Sequence, residues 1–284
     1  MYNILNLRKS ALWFYYQFKK SVSTEYFGEF GYELISVIPF AYWLHLKGKL
    51  DQTSSTADTK SLYFFSKNHI ESEIKRNYII PNSFPIRNIH RRLLNTMMWT
   101  PPPYKDVFKN DTIVFDKPIC VICNKYNSEW GHPPITFFSK PMLASLFNRL
   151  QDHYQVIYCR PTSLEIIDDC SDIYDLEEHD WIRTVYPNVL CVQDLFTDSS
   201  FTSFNEFQLH LFANTDHFIS VQGGYSILCS YFQGINIIYG AKSVLRTADE
   251  INCRAYDRWY HKFSGATIKY AATYDEVITY INDW

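Results

Sequence analysis

The chain has 284 residues, of which 46% are hydrophobic and 20% charged, and its formal net charge at pH 7 is -3. This composition predicts a packed core and excludes a largely disordered chain, while the lack of a basic excess argues against nucleic acid as a partner. The length suits two small domains or one large one.

The first twenty residues combine aromatic and basic side chains. The apolar run Ala11–Tyr16 is flanked by Arg8, Lys9, Lys19 and Lys20. It is far too short to span a bilayer, and it lacks the long apolar region and cleavage site of a signal peptide. We therefore predict a cytoplasmic protein without a transmembrane segment. Rings flanked by cations also suit a membrane headgroup interface, so a weak peripheral contact stays open as an alternative.

A glycine-containing turn comes next. The segment Phe27–Leu34 contains Gly28 and Gly31 and leads into an apolar helix. Glycine permits close backbone approach, and a helix start offers free N–H groups, so the turn suits a phosphate or a sugar hydroxyl. Glu29 and Glu33 bracket the turn, and each is either a partner of the helix dipole or a catalytic group.

The remaining elements of the first domain are less regular. Tyr32 to Lys47 has helical character, residues 51–60 are polar throughout and predict a surface loop, and Leu62–Phe65 predicts a strand. Three consecutive prolines, Pro101–Pro103, cannot continue a helix or a central strand. They predict a semi-rigid connector, and we assign residues 1–110 to an N-terminal domain.

Beyond this connector, predicted strands and helices alternate. Continuous apolar runs, typical of strands covered on both faces, predict strands at Ile119–Cys123, Gln155–Cys159, Val189–Val192, His217–Val221 and Ile235–Tyr239. Helical spacing predicts helices at 139–150, 205–214, 226–232 and 274–284. The alternation predicts a parallel sheet with right-handed crossovers. We assign residues 111–265 to this second domain, and residues 266–284 to a strand and helix that pack back on the first.

The most specific motif runs from His217 to Gly240. It reads as strand, glycine pair, helix, tight turn, strand and glycine. Gly223 and Gly224 open the helix, so the amides from Gly223 to Tyr225 and the hydroxyl of Ser226 are placed to hold a diphosphate. The carboxyl end of a parallel strand is the usual ligand crevice of such sheets.

Together the two glycine motifs resemble those of GT-B glycosyltransferases, especially the heptosyltransferase-like group. That group carries an acidic residue after its first glycine turn and a proline six residues later, a spacing that Glu33 and Pro39 keep. Its acid is an Asp that directly follows glycine, whereas Tyr32 is inserted here. Its second turn differs as well, since this chain has Gln222 before the glycine pair. Similar stand-alone enzymes occur in bacteria and in large DNA viruses of algae, which would place a viral protein in the host cytoplasm.

The resemblance implies an α/β fold of two Rossmann-like domains, with parallel sheets flanked by helices. It implies a metal-independent, inverting transfer of a sugar from a nucleotide diphosphate-sugar to a glycan hydroxyl, with a UDP-sugar favoured over a GDP-sugar. The donor would bind the second domain and the acceptor the first. By the same resemblance Glu33 is the candidate general base, with Glu29 as the second choice.

Two loops of the second domain supply further candidates. Asn124 and Lys125 follow its first strand, where similar enzymes place a polar or basic residue to meet the donor phosphates. A solvated loop lysine is the alternative interpretation of Lys125. Arg160 follows the next strand and would clamp a phosphate. Glu165 resembles the acid that such enzymes use on the nucleotide ribose.

Several patterns are absent from the sequence. It has no Asp-x-Asp triplet, Walker loop or His-Glu-x-x-His pattern, so no metal and no cofactor besides the donor are predicted. Cys120 and Cys123 form a CxxC, but positions i and i+3 of a strand point to opposite faces, and we expect buried thiols. Three alternatives stay open: an epimerase or hydrolase on the same fold, a retaining transferase, and a non-catalytic carbohydrate-binding protein.

Overall fold

The structure is a computed structural model that describes residues 11–81, 84, 96–129, 131–162, 172–241 and 260–284. The chain divides into two units, Met1–Pro102 and Pro103–Trp284, so the division falls within the predicted proline connector and not at residue 110. Each unit is built on a parallel sheet with helices, which confirms the predicted α/β class. Within the described ranges, no helix is long and apolar enough to cross a membrane.

In the described residues of unit 1 there are three strands, Val22–Glu25 (β1), Leu50–Thr56 (β2) and His69–Ser72 (β3), which pair in parallel in the order β1-β2-β3. Its helical segments are residues 11–18, Phe30–Tyr32, a π-helical turn at Glu33–Val37, Ile38–Leu46, and 3-10 turns at Lys60–Tyr63 and Thr96–Met98. The predicted helical character of Tyr32 to Lys47 is therefore confirmed.

The middle strand of unit 1 is polar, and the surface loop predicted at residues 51–60 is wrong over residues 51–56. Thr53 and Ser55 are both completely buried. Their hydroxyls have polar partners inside the unit, as when Thr53 Oγ1 lies 2.7 Å from Nδ1 of His69. Buried hydroxyls are tolerated when they are hydrogen-bonded. A strand of serines and threonines can therefore be central although its sequence reads as a loop.

The predicted strand at Leu62–Phe65 is also wrong, because a 3-10 turn covers Lys60–Tyr63. Leu62 and Tyr63 are buried in this turn as they would have been in a strand. A short apolar run shows that a segment is buried, but its length leaves helix and strand undistinguished.

A proline shapes the helix that follows the first glycine turn. Pro39 has no N–H, so the carbonyl of Ile35 loses its helical donor. The indole Nε1 of Trp99 donates to that carbonyl at 2.7 Å. The backbone ahead of the proline adopts the π-helical turn over Glu33–Val37, a conformation that recurs at functional sites.

The described part of unit 2 contains six parallel strands: Ile119–Cys123 (β4), Gln155–Cys159 (β5), Leu190–Cys191 (β6), His217–Val221 (β7), Ile235–Tyr239 (β8) and Thr267–Ala271 (β9). They pair in the order β6-β5-β4-β7-β8-β9. The helices are Tyr104–Phe108, Lys140–Leu150, His179–Val185, Val192–Thr197, Phe204–Ala213, Gly224–Cys229 and Tyr274–Ile281, with a 3-10 turn at Tyr260–Phe263. The predicted alternation of strands and helices is confirmed.

Strand β4 lies at the centre of the unit 2 core. All five of its residues are buried, and the Lys140–Leu150 helix covers the sheet with the apolar face that its spacing predicted. Cys120 and Cys123 are buried free thiols, as expected. Burial raises the pKa of both thiols, so they remain protonated.

Residues 266–284 belong to the sheet of unit 2. Strand β9 pairs in parallel with β8 along its whole length, and the Tyr274–Ile281 helix buries Val277 and Ile281 in the same core. The sequence alone predicts a separate strand and helix here that pack back on the first domain. The ladder of hydrogen bonds to β8 places it in the second unit instead.

Candidate functional site

The strand order of unit 2 creates a switch point between β4 and β7. From β4 the chain proceeds outward to β5 and β6, and then returns to the other side of β4 to form β7, β8 and β9. In open parallel sheets, ligands bind at the carboxyl ends of the strands at such a point. The loop after β4 begins with Asn124 and Lys125, and the loop after β7 holds Gln222 and Gly223, with Gly224 opening the next helix. The fold therefore brings two of the predicted loops together.

Lys125 lies beside the Gly223 turn. A Cβ atom placed on Gly223 would be 3.8 Å from Lys125 Nζ. Gly223 has φ of 149° and ψ of -160°, a conformation almost restricted to glycine. The Lys125 side chain is 23% exposed and pairs with Oε1 of Glu129 at 3.2 Å. A partly exposed cation thus lies next to a turn that depends on glycine and opens a helix.

The Ser226 side chain caps the start of this helix through hydrogen bonds to the backbone of Gly223. Its buried hydroxyl accepts a hydrogen bond from the N–H of Gly223 at 3.2 Å and donates one to the carbonyl of Gly223 at 2.8 Å. The Ser226 hydroxyl and the Gly223 amide are therefore engaged inside the turn. The amides of Gly224 and Tyr225 lie in the first helical turn, where no intrahelical acceptor exists. The Tyr225 hydroxyl accepts from Nε2 of Gln208 at 2.7 Å, and burial raises its pKa.

Asn124 is buried and fixes the loop after β4. Its amide nitrogen donates to the carbonyl of Phe138 and to the hydroxyl of Tyr158, both at 3.0 Å. Its Oδ1 accepts from the N–H of Phe138 at 2.8 Å. With 1% of the residue exposed, the predicted contact between Asn124 and a donor has no support from the structure.

Arg160 forms a buried ion pair with Glu178, which we call the unit 2 pair. Arg160 Nε donates to Oε1 of Glu178, and Nη2 donates to Oε2 at 3.0 Å. The Tyr158 hydroxyl donates to Oε1 at 3.0 Å. Burial acts to lower the pKa of Arg160, but the hydrogen bonds and charge of Glu178 leave it raised. The guanidinium is occupied, so the predicted phosphate contact of Arg160 is unsupported.

Glu33 forms the corresponding buried pair in unit 1, with Arg76, which we call the unit 1 pair. Glu33 is completely buried. Its Oε1 accepts hydrogen bonds from the hydroxyl of Ser55 and, at 2.8 Å, from the hydroxyl of Tyr63. Arg76 Nη2 lies 2.7 Å from Oε2. These donors balance a charge that would otherwise be costly to bury.

Arg76 also reaches the first glycine turn. Its Nη1 donates to the carbonyl of Gly28 at 2.8 Å, and its guanidinium carbon lies 5.2 Å from the ring centroid of Phe30. A Cβ atom at Gly28 would come within 2.3 Å of the ring of Tyr26, so the close approach requires glycine. The guanidinium therefore connects the buried carboxylate to the backbone of the turn.

The two acids of the turn have different surroundings. Glu29 precedes the Phe30–Tyr32 helix and is partly exposed, whereas Glu33 is buried. The N–H of Glu33 donates to the carbonyl of Glu29 at 3.1 Å, which keeps the two residues on one helical turn. Gly31 lies between them and is buried. Of the two predicted acids, Glu29 is the one that a ligand can reach.

Two further expectations concern metal and ribose contacts. In the part of the chain that the structure describes, no group of three or more His, Cys, Asp or Glu side chains is arranged to hold a metal ion. Glu165, the predicted ribose contact, lies outside the described residues.

Sequence reasoning missed Arg76, Ser55 and Tyr63. Ser55 and Tyr63 lie 22 and 30 residues from Glu33 in the chain, and no motif marks any of the three. A weaker signal was present, because an acidic residue in an otherwise apolar helix must find polar partners if its face is buried. The sequence does not show which residues those partners are.

The fold of the chain is similar to that of a solved glycosyltransferase. ADP-heptose LPS heptosyltransferase II of E. coli matches with a TM-score of 0.56 over 93% of this chain and 98% of that chain, at 11% sequence identity. No protein-family model and no curated protein sequence matches. The likeness establishes the fold, two Rossmann-like domains of the GT-B architecture, which the glycine motifs had led us to expect.

Proposed function

We propose that the protein is a glycosyltransferase that moves a sugar from a nucleotide diphosphate-sugar to a glycan hydroxyl, without a metal ion and with inversion. The observation that carries the proposal is the meeting of Lys125 with the Gly223 turn at the switch point of the unit 2 sheet. The fold likeness to a heptosyltransferase supports the same conclusion.

In this proposal unit 2 holds the donor. The Lys125 ammonium and the amides of Gly224 and Tyr225 contact the diphosphate, because a point charge and backbone N–H groups both suit phosphate oxygens. Negative charge grows on the diphosphate as its bond to the sugar breaks. Donors already fixed by the fold stabilise that charge without reorganising. A UDP-sugar is the first donor to test, before a GDP-sugar.

Unit 1 supplies the catalytic carboxylate, and we assign the role of general base to Glu29 in place of Glu33. A general base must come within hydrogen-bonding distance of the proton that it removes. Glu33 is completely buried, and Ser55, Tyr63 and Arg76 engage its carboxylate. Glu29 belongs to the same turn and is partly exposed.

The reaction then follows from these roles. The Glu29 carboxylate takes the proton of the acceptor hydroxyl while that oxygen bonds to the anomeric carbon of the donor sugar. The bond between this carbon and the diphosphate oxygen breaks, and the electron pair leaves with the nucleotide diphosphate. Because attack comes from the face opposite the leaving group, the configuration inverts. The unit 1 pair keeps the turn, and with it Glu29, in place.

Nucleotide binding tests the proposal. We would titrate the full chain calorimetrically with UDP, GDP and ADP in the presence of EDTA, and expect one of them to bind. At 100 times the dissociation constant, that nucleotide should stabilise the fold by about 2.7 kcal/mol, a rise of several degrees in melting temperature. Lys125→Ala should weaken binding roughly ten-fold or more, since a hydrogen bond to a charged group contributes about 1.5–3 kcal/mol.

The control variant is Lys262→Ala, which removes an exposed lysine of the same unit and should bind as the native chain does. If none of the nucleotides binds, the transferase proposal fails. If Lys125→Ala binds as tightly as the native chain, the assigned donor site is wrong. Turnover of the donor without any acceptor would indicate an epimerase or hydrolase instead.

A further inference from the structure

The helix formed by residues 11–18 has two apolar faces. Its inner face packs on the core of unit 1 through Leu12, Trp13 and Tyr16. On the other side, Phe14 is 56% exposed, Tyr15 52% and Phe18 83%. We call Phe14, Tyr15 and Phe18, with the exposed Lys19 and Lys20 that follow, the aromatic face. The spacing i, i+1 and i+4 places the three rings on one side of the helix.

The fold holds this helix firmly, so the exposed rings are not a frayed end. The ring of Tyr16 packs edge-on against Phe40 with centroids 4.9 Å apart. Lys49 Nζ donates to the carbonyls of Tyr16 and Gln17, at 2.8 and 2.6 Å. These contacts satisfy carbonyls that the end of the helix leaves unpaired, and they fix which side of the helix faces outward.

The chain segment that carries the aromatic face has charged residues of one sign. Residues 1–24 contain Arg8, Lys9, Lys19 and Lys20 and no acidic residue, although the whole chain carries -3. Lys19 Nζ lies 5.0 Å from the ring centroid of Tyr15, so cation and ring form one surface. Aromatic rings beside lysines suit the headgroup region of a bilayer, where the ring enters the acyl boundary and the ammonium meets lipid phosphates.

We propose that the aromatic face binds the surface of an anionic lipid bilayer. A second copy of the chain fits less well, because a two-fold contact would bring Lys19 and Lys20 of both copies together. An anionic surface attracts the same lysines and accepts the rings. The proposal stands apart from the proposed catalytic function, since it uses none of the residues of the donor site or of the glycine turn.

Vesicle binding tests this proposal on the full chain. In low salt, the protein should sediment with phosphatidylcholine vesicles that contain 30% phosphatidylserine, and pure phosphatidylcholine vesicles should bind it far less. High salt should release it, because screening shortens the range of the charges. The double variant Phe14→Ser with Phe18→Ser should bind the anionic vesicles at least about ten-fold more weakly than the native chain. The double variant Lys19→Glu with Lys20→Glu should lose at least as much affinity.

The matched control is Tyr174→Ser, which removes an aromatic ring of unit 2 that is 42% exposed and should leave binding unchanged. Because Phe14 and Phe18 are exposed, the double variant should melt within about 2 °C of the native chain, which separates lost binding from lost folding. The proposal is overturned if the native chain ignores anionic vesicles, or if the double Phe variant binds them equally well. It is also overturned if light scattering shows a dimer that the Phe changes dissociate.

Discussion

Each unit contains a completely buried glutamate that is paired with an arginine and hydrogen-bonded by a tyrosine hydroxyl, but the two arginines are used differently. In the unit 2 pair, Arg160 gives both Nε and Nη2 to Glu178. In the unit 1 pair, Arg76 places one nitrogen 2.7 Å from a carboxylate oxygen of Glu33 and donates the other to the carbonyl of Gly28. The same chemistry therefore stabilises the fold in unit 2, and in unit 1 it also holds the turn that carries Glu29.

The largest expected effect comes from breaking the unit 2 pair. Arg160→Met leaves the Glu178 charge buried without its partner, which should cost about 3–5 kcal/mol of unfolding free energy. Urea denaturation would measure the loss. The double variant with Glu178→Leu should recover much of it, because it removes both charges. Nucleotide affinity of the folded protein should stay unchanged, and an affinity loss would mean that Arg160 contacts the donor after all.

A substitution in the unit 1 pair should lower turnover. Arg76→Lys keeps a positive charge near Glu33 but loses the planar fork that spans the carboxylate and Gly28. We expect kcat to fall roughly ten-fold, with KM for the donor unchanged, because the proposed donor site lies in the other unit. Arg160→Lys is the matched variant and should leave kcat per folded molecule unaltered. Equal effects of the two substitutions on kcat would contradict the difference between the pairs.

The two glycine turns are expected to differ in the same way. Gly28→Ala forces a Cβ against the Tyr26 ring, which should cost about 1–3 kcal/mol and lower kcat. Gly223→Ala keeps ordinary space around the Cβ, 3.8 Å from Lys125, but strains the backbone by about 1–3 kcal/mol and should weaken nucleotide binding. Stability and affinity measurements on both variants check this. A loss of nucleotide affinity in Gly28→Ala would contradict the assignment of nucleotide binding to unit 2 alone.

The smallest expected effect is a pH dependence of unit 1. Burial lowers the pKa of His69 below 6.5, outweighing the charges of Glu71 and Glu33, which raise it, while Lys60 lowers it further. Below pH 6.5 the unfolded chain therefore binds more protons than the folded chain does. The stability that neutral His69 contributes is fully present above that pH. It is lost as the pH falls through the folded pKa. His69→Gln should flatten the fall in urea midpoint between pH 6.5 and 5, and an unchanged slope would exclude His69 as its source.

Much of the fold was readable from the sequence because apolar runs report burial directly. Ile119–Cys123 and Ile235–Tyr239 were predicted with the bounds that the structure shows. Strand β2 was missed because its burial depends on hydroxyls that pair with distant groups, as Ser55 does with Glu33. Hydropathy and periodicity do not reveal hydrogen bonds between residues that are distant in the sequence.

The candidate site shows the same limit. Glycine turns are visible in a sequence, and the fold places the Gly223 turn beside Lys125 as the motifs suggested. A cation after a strand looks alike whether its partner is a phosphate or a buried acid. Arg160 was therefore assigned to the donor, although its partner Glu178 lies 18 residues further along the chain. Whether the cation is buried distinguishes the two cases, and only the structure shows whether a charged residue is buried.

The most direct test of the account compares Glu29→Gln with Glu33→Gln in release of nucleotide diphosphate from the donor that the titrations identify, with a glycan acceptor present. We predict that Glu29→Gln keeps its melting temperature and nucleotide affinity but loses turnover by about 10²–10⁴-fold, the range of general base catalysis. Glu33→Gln should instead lower stability and retain measurable turnover in its folded fraction. Native turnover in Glu29→Gln, together with an inactive but stable Glu33→Gln, would contradict the account.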